Sequence, residues 1–505
     1  MATTQGQRPP LLKLPLEVML RISDSLKVQD FINLRQTCKL LENQLFLNFA
    51  RSFFGKRQFM MTPDSLQGLI DMARSRFAPH MKFVSICLLE PKGGMTVSPH
   101  QAFMAETRAQ VMGMWSTNQH IDLLTEAFQT LPHLEGIIIK DNPRIAARGY
   151  QLDRYPVHGM KKFNDMDISA LFVPAHNSDV MAMTMTGLLT ALGKAQARPK
   201  SFEMILRGSM SIDDRCFHIP EHVRPSVLPV LEGLEKLYIY VQHQGHFDIG
   251  PTGPEDVIVK KFISHCPNLK GFRINRSSLG RGHHSGMRRL LGWLADDPSL
   301  PGVIDSHNPD DAQQNAPGTW QTNFIINPPS PRWEHLEELS VGFLQCDPGT
   351  LMKLVAKFAP TLRRLDIWRV AMTATPDQAK RKENVWPVIM RRFAQTPGLN
   401  LRHVKLGQLG LAVARYDRDL AIHFELEAGR HMRDIECNAP DDCHKFLTEM
   451  ATKCDANWGS ISHLLYPQIN SDEDEQEDED LDIDEDEDED GEVDDEDEDE
   501  EMNDE

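Results

Sequence analysis

One phrase recurs through the middle of this chain: an apolar helix, often a proline, then Leu-x-x-apolar-x-apolar. It reads IDLLTEAFQTLPHLEGIIIK at Ile121–Lys140 and VIVKKFISHCPNLKGFRIN at Val257–Asn275. It returns as LMKLVAKFAPTLRRLDIWR at Leu351–Arg369 and VIMRRFAQTPGLNLRHVKL at Val388–Leu406. Shorter forms stand at Leu231–Val241 and Trp333–Phe343, and KSFEMILRG at Lys200–Gly208 is a weaker copy. In a strand, alternate side chains point to one face, so the spaced apolar residues all face one way and pack on the helix of their own unit. No such unit buries its apolar face alone, so neighbours must stack. The body is therefore expected to be α/β, with short parallel strands covered by helices on one side and open on the other.

The leading leucines of the phrase are Leu134, Leu234, Leu269, Leu336, Leu362 and Leu401, separated by 100, 35, 67, 26 and 39 residues. This irregular spacing, without the asparagine of stricter repeats, resembles a degenerate leucine-rich-repeat solenoid. The wide gaps leave room for a further unit near Trp293 or Phe324, and Gly302–Arg332, with SHNPDDAQQNAPG and NPPSP, reads as a polar insertion. Arg144–Asn177 reads as a second irregular region. On the open face the expected residues include Ile138, Lys140, Ile205, Arg207, Tyr238, Tyr240, Arg273, Asn275, Ser340, Asp366, Trp368 and Lys405. Tyr, Trp and Arg are the types that dominate protein interfaces. Lys140, Arg207, Tyr238, Tyr240, Arg273, Trp368 and Lys405 are the candidate substrate-binding residues, forming a mildly basic face that carries aromatics.

The N-terminus poses a different problem. KLPLEVMLRISDSL at Lys13–Leu26 is too apolar for a solvated terminus and too interrupted by charge for a signal or an anchor. Pro15 suits a first helical turn and Glu17 its positive end. Val18, Ile22 and Leu26 make one apolar stripe. Asp30 reads as the N-cap of a second helix with stripe Phe31, Leu34 and Cys38, and a third helix carries Leu41, Leu45 and Phe49. Leu14, Pro15, Leu16 and Leu20 fall outside the main stripe. A unit of about 40 residues cannot cover two faces of its first helix, so these residues predict a partner protein.

LPLEVMLRISDSLKVQDFINLRQTCKLL is similar to an F-box, with Leu14, Pro15, Glu17, Val18, Ile22, Leu26, Asp30, Phe31, Cys38 and Lys39 at the positions of the family pattern. Ser23 and Leu41 stand where the family often has an aromatic residue and a tryptophan. KRQFMMTPDSLQGLIDMARS resembles the segment that follows the F-box in filamentous-fungal members. The resemblance implies docking onto the Skp-family adaptor of an SCF-type cullin-RING ubiquitin ligase. The implied adaptor-binding residues are Leu14, Pro15, Glu17, Val18, Ile22, Leu26, Asp30, Phe31, Leu34, Cys38 and Leu41. The expected organisation is a disordered N-terminus (1–10), an F-box (11–50), a helical linker (51–80), the repeat domain (81–465, with its polar insertion about 302–332) and a disordered polyacidic tail (466–505).

Charge is divided unevenly. Of 74 acidic residues, 27 lie within 472–505, leaving 47 against 54 Lys and Arg in a mildly basic body. The eight cysteines include no Cys-x-x-Cys, which points to free thiols in a reducing compartment, cytoplasm or nucleus. No nucleic-acid or membrane partner is expected. CNAPDDCHKF and GRGHHSGMRR fit no common zinc module or phosphate loop. With no Gly-x-Ser-x-Gly or His-Glu-x-x-His either, the expectation is a non-enzyme without cofactor or metal. The leading reading is a substrate-recognition subunit of the ligase; the alternative is a non-catalytic scaffold or chaperone-like protein binding basic partners through the tail and solenoid. Deleting 472–505 tests whether the tail screens the body from anions. Screening predicts tighter, more salt-sensitive binding of anionic ligands by equilibrium titration, whereas a solubilising or docking tail predicts no change.

Overall fold

The chain opens with three helices, α1 (Leu16–Asp24), α2 (Val28–Gln36) and α3 (Lys39–Phe54). A computed structural model describes residues 9–91, 101–141, 157–158, 172–174, 178–206, 212, 214–241, 256–276, 285–298, 328–413, 419–425, 431–439 and 442–458. The tail expected at 466–505, most of the insertion about 302–332, most of Arg144–Asn177, and Arg207 lie outside these residues. Met1–Ile461 forms one unit; Ser462–Glu505 is set apart as a second and lies wholly outside the described residues.

The three helices share a core of Met19, Phe31, Leu41, Leu45, Phe49 and Phe53. Phe31 meets Phe49 edge-on at 5.4 Å, a favoured aromatic geometry. The inward side of α1 differs from the expected stripe. Met19 and Ser23 are buried, Ile22 and Leu26 are half-buried, and Val18 faces outward. Ser23 explains the rotation: its hydroxyl donates to the Leu20 carbonyl at 2.7 Å and accepts from Asn48 Nδ2 at 3.0 Å, so a small polar residue fits against α3. Two further details depart from expectation. Lys27, not Asp30, is the N-cap of α2; Asp30 is exposed in its first turn, where a carboxylate still favours the positive helix end. Cys38 is extended (φ −160°, ψ 158°) and forms the N-cap of α3 instead of continuing α2.

The segment 51–80, expected as a helical linker, contains a strand. Helix α3 passes through Gly55 directly into β1 (Lys56–Met60), followed by α4 (Pro63–Ala73). KRQFM lacks the Leu-x-x-apolar signature of later units, so periodicity gave no sign of it. The chain continues with β2 (Phe83–Cys87), β3 (Leu89–Pro91), α5 (Gln101–Ser116), α6 (Gln119–Gln129), β4 (Gly136–Lys140), β5 (Val157–His158), β6 (Phe172–Pro174), α7 (Ser178–Ala195) and β7 (Ser201–Ile205). Then come α8 (Arg224–Glu232), β8 (Lys236–Val241), α9 (Val257–Ser264), β9 (Gly271–Arg276), α10 (Ser285–Ala295) and β10 (Glu338–Cys346). Helix α10, which carries Trp293, is the helix before β10; no additional strand appears there among the described residues. Helix α11 (Pro348–Phe358), β11 (Arg364–Ala374), α12 (Pro376–Lys380), α13 (Trp386–Gln395) and β12 (His403–Gly407) follow. The end of the chain holds β13 (Gly410–Val413), β14 (Asp419–Glu425), β15 (His431–Met432), β16 (Asp434–Cys437), α14 (Cys443–Lys453) and β17 (Cys454–Ala456).

The result is a mixed α/β architecture around one large sheet. Strands β1, β2, β4, β7, β8, β9, β10, β11 and β12 are parallel neighbours in chain order. Two columns of side chains run across it. One is Val84, Ile137, Phe202, Leu237, Phe272, Leu339, Leu365 and Val404; the other is Ile86, Ile139, Met204, Ile239, Ile274, Val341, Ile367 and Leu406. Every member of both is buried. At the far end β16 pairs antiparallel with β12, and β14 with β13, so the parallel series gives way to antiparallel strands.

Register is held by one backbone device repeated from unit to unit. A single carbonyl just before each strand accepts the N–H groups of two successive residues of the next unit. Gly55 O accepts from Lys82 and Phe83 at 3.0 and 2.9 Å, Glu135 O from Lys200 and Ser201 at 2.7 and 3.0 Å, and Lys270 O from Glu337 and Glu338 at 2.7 and 2.8 Å. The same pattern runs through Lys82, Lys200, Glu235, Glu337 and Arg363. From Lys82 to Glu337 these residues alternate in sign, and salt bridges join Lys82 to Glu135 at 2.8 Å, Lys200 to Glu235 at 3.1 Å and Lys270 to Glu235 at 2.8 Å. Exposed pairs of this kind contribute little each; the carbonyl ladder and the adjacent buried leucines set the spacing. Leu336→Ala should therefore cost about 2–5 kcal/mol, measured by urea denaturation of the full chain, while Glu337→Ala should change stability by less than ~1 kcal/mol.

Candidate functional site

The sheet face opposite the buried columns carries two further columns, and the candidate residues fall on them. The first runs Ser85, Ile138, Glu203, Tyr238, Arg273, Ser340, Asp366 and Lys405; the second runs Cys87, Lys140, Ile205, Tyr240, Asn275, Gly342, Trp368 and Gly407. The face is not uniformly open. Ser85, Ile138 and Asn275 are buried, whereas Glu203, Tyr238, Tyr240, Arg273, Ser340, Asp366, Trp368 and Lys405 are half-exposed. Lys140 therefore sits toward the covered end and the aromatic residues toward the open end. Arg207 lies outside the described residues.

At the open end Lys236, Arg364 and Lys405 are paired with acids. A hollow of about 230 Å³ is bordered by Lys236, Tyr238, Arg273, Glu338, Arg364 and Asp366. Tyr238 donates its hydroxyl to Glu338 Oε2 at 3.1 Å, and Lys236 Nζ lies 3.2 Å from the same oxygen. Burial, with the Glu338 charge beside it, pushes the Tyr238 hydroxyl above its ordinary range, so it remains a neutral donor. The Arg273 guanidinium lies 4.5 Å from the Tyr238 ring centroid, and its Nε donates to Ser340 Oγ at 3.2 Å. Asp366 accepts from Arg364 Nε at 3.0 Å. His403 Nε2 lies 3.0 Å from the other Asp366 oxygen, and neither atom takes part in a hydrogen bond. Lys405 stands 3.2 Å from Glu436 of β16 and 5.5 Å from the Trp368 ring.

Three kinds of participant escaped the sequence reading. Glu338 and Glu436 supply counter-charges, so the face is a mesh of paired charges and not a basic surface. Glu338 is one of the two unassigned positions of the Leu-x-x phrase and the first residue of its strand, and Glu436 arrives on a returning antiparallel strand outside the phrase. The second participants are glycines. A Cβ at Gly407 would meet the Trp368 ring at 2.1 Å, and one at Gly342 would meet Asn275 Oδ1 at 2.6 Å. Trp368 and Asn275 of the second column therefore each lie over a neighbour without a side chain, and glycine inside a strand is the signal for such close approach. The third is a bend. Phe343, Arg369 and Gln408 take positive φ (59°, 52° and 48°) at adjacent positions of neighbouring strands. Between β10 and β11 the pairing passes from Gly342↔Trp368 to Leu344↔Val370 across this point. Arg369 lies 5.3 Å from the Phe343 ring and donates to the Gln408 side chain, so the strained residues hold one another.

A second surface lies on the three-helix module. Leu14, Leu16 and Val18 are 36%, 44% and 41% exposed, beside exposed Pro15, Glu17 and Asp30. Ile22, Leu26, Leu34 and Cys38 are half-buried. Phe31 and Leu41 are in the module's own core and serve its fold, not its surface. Leu40 and Leu47, seven positions apart on one side of α3, are exposed and were missed, because the periodic stripe of Leu41, Leu45 and Phe49 drew attention to the inward side. The module runs straight into the body. Phe54 stacks on Phe77 at 3.9 Å, and Gly55 at the end of α3 is the first carbonyl of the ladder.

Among the described residues there is no cluster of metal-ligating side chains, and no helix is long and apolar enough to cross a membrane. No family model matches the sequence, and no curated protein matches it. Among solved structures, the chain is similar to the crystal structure of the Rad7 and Elc1 complex in yeast, with 11% identity over 82% of this chain and 90% of that chain, at a TM-score of 0.24. A likeness at that level carries no argument about function. What the geometry defines is an α/β protein with an exposed apolar N-terminal surface rigidly joined to a half-open sheet face.

Asp366 is the acid on which the open end converges. Asp366→Ala should leave Arg364 without its carboxylate partner and cost about 1–3 kcal/mol, measured by urea denaturation, with Ser340→Ala as a milder control.

Proposed function

We propose that this chain is the substrate-recognition subunit of an SCF-type cullin-RING ubiquitin ligase. The three-helix module acts as an F-box and docks on a Skp-family adaptor, and through it the cullin. The body acts as a degenerate leucine-rich-repeat solenoid whose open face binds a protein substrate. The observation that carries this reading is the exposure of Leu14, Leu16 and Val18 on a module whose own core is already filled. Exposed apolar residues clustered on so small a unit mark an interaction surface, and each one fully covered by a partner contributes about 1.5–3 kcal/mol. The resemblance of residues 11–50 to an F-box supplies the identity of that partner.

In this reading the chain does no chemistry. It positions a substrate, and the assembled ligase transfers ubiquitin, so the gain is one of proximity and orientation. The direct passage of α3 into β1 suits that role, since a rigid connection fixes the substrate relative to the adaptor. Tyr238, Tyr240, Arg273 and Trp368 are the substrate anchors in this reading, with Lys140, Arg207 and Lys405 beside them.

Co-purification of the full chain with adaptor and cullin tests the proposal. The Leu14→Ala/Pro15→Ala variant should lose adaptor binding by at least about tenfold and keep its captured proteins. Tyr240→Ala/Trp368→Ala should do the reverse. Failure of the intact chain to bring down adaptor, or recovery of equal amounts of adaptor by the Leu14/Pro15 variant, would sink the reading.

A further inference from the structure

Where the three-helix module meets the body, a cavity of about 530 Å³ opens against the first turn of α3, bordered by Arg35, Cys38, Lys39, Glu42, Arg76 and Phe77. We propose that this cavity is a binding site for a phosphate monoester dianion, held by Arg35, Lys39, Arg76 and the backbone N–H groups that begin α3.

The first ground is Arg35. The residue is only 8% exposed, yet its Nε is buried without an acceptor, and no salt bridge reaches it among the described residues. Its guanidinium lies 3.8 Å from the Phe49 ring centroid, which offers its face but no hydrogen-bond acceptor. A buried cation left in this way is costly unless something anionic completes its surroundings. Burial first, and then repulsion from Arg76, draw the Arg35 pKa below its ordinary value, with Glu42 opposing. A bound anion would relieve both influences.

The second ground is the helix end. Helix α3 is 16 residues long, and the side chain of its N-cap, Cys38, accepts none of its first N–H groups. Those groups have no intrahelical partner and carry the positive end of the helix dipole. Oriented N–H groups at a helix start are a general anion-binding arrangement, and here Cys38 and Lys39, at that start, line the same cavity as Arg35.

The third ground is charge. Arg35, Lys39 and Arg76 are the cations of the cavity. Glu42 is its acid, and it is already engaged by Arg76. Two positive charges remain uncompensated, which matches a dianion better than a single carboxylate. The planar fork of arginine suits the paired oxygens of a phosphate. Arg76 is also held in place from behind, its guanidinium 4.3 Å from the Phe46 ring centroid.

The site is independent of the ligase reading, although Cys38 also belongs to the surface proposed for the adaptor, so the test uses the full chain alone. Isothermal titration calorimetry in phosphate-free, low-salt buffer would use O-phosphoserine as probe and serine as control. The expected result is saturable one-site binding of O-phosphoserine and none of serine. Lys39→Gln removes an exposed side chain and leaves the module folded; it should weaken binding by about tenfold. Arg35→Gln should abolish it, with thermal melting run alongside to confirm that each variant is folded. Two further arms separate the sources of the phosphate: tighter binding of a phosphoserine peptide assigns the site to a modified polypeptide, and tighter binding of inositol hexakisphosphate assigns it to a soluble metabolite. Absence of saturable O-phosphoserine binding up to ~10 mM, or equal binding by Lys39→Gln, overturns the proposal.

Discussion

The doubly accepting carbonyl before each strand is the contact on which the rest of the molecule depends. It fixes where one unit stops and the next begins, because both N–H groups must reach the same oxygen. Once that rung is set, the side-chain columns follow. Residues one and three places into each strand face the helices, while residues two and four places in face the other side. A slip of one residue in any unit would exchange the two faces and put apolar side chains into water. The buried leucines beside the rungs make such a slip expensive.

The same ladder joins the two surfaces. Its first carbonyl belongs to Gly55, where α3 ends, so the three-helix module is built onto the end of the sheet. The aromatic stack of Phe54 on Phe77 and the pairing of Arg76 with Glu42 reinforce that junction. An exposed apolar surface and a half-open sheet face thus belong to one continuous body. The cavity with unpaired Arg35 lies at the same junction, so a ligand there would bind where module and body meet.

On the open face the conflict is between charge and exposure. Arginine and lysine outnumber acids among the residues that the repeat phrase exposes to view. Their partners arrive from positions whose apolar pattern says nothing of charge. Glu338 is an unassigned position just before the alternation, and Glu436 comes back on an antiparallel strand. The outcome is a surface of largely paired charges around Tyr238 and Trp368, with glycines against Trp368 and Asn275. The strained positions Phe343, Arg369 and Gln408 mark where the parallel run bends toward its antiparallel end.

The sequence by itself determined the α/β units, because alternating apolar residues after an amphipathic helix leave few ways to bury both. Ile121–Lys140, Val257–Asn275, Leu351–Arg369 and Val388–Leu406 each became the helix and strand that their periodicity required. It also showed that the N-terminal helices carry more apolar surface than they can cover. Tertiary structure decided the rest. Strand β1 was not legible because its five residues carry no period of their own and are strand through their neighbours β2 and β5. The inward side of α1 turned on one hydrogen-bonded serine, which a count of apolar residues cannot register. Whether a charge is free or paired depends on residues distant in the chain, as Lys236 with Glu338 and Lys405 with Glu436 show. Periodicity is a local property and survives in the sequence; charge pairing, close approach and a buried guanidinium nitrogen without an acceptor arise only when distant segments meet.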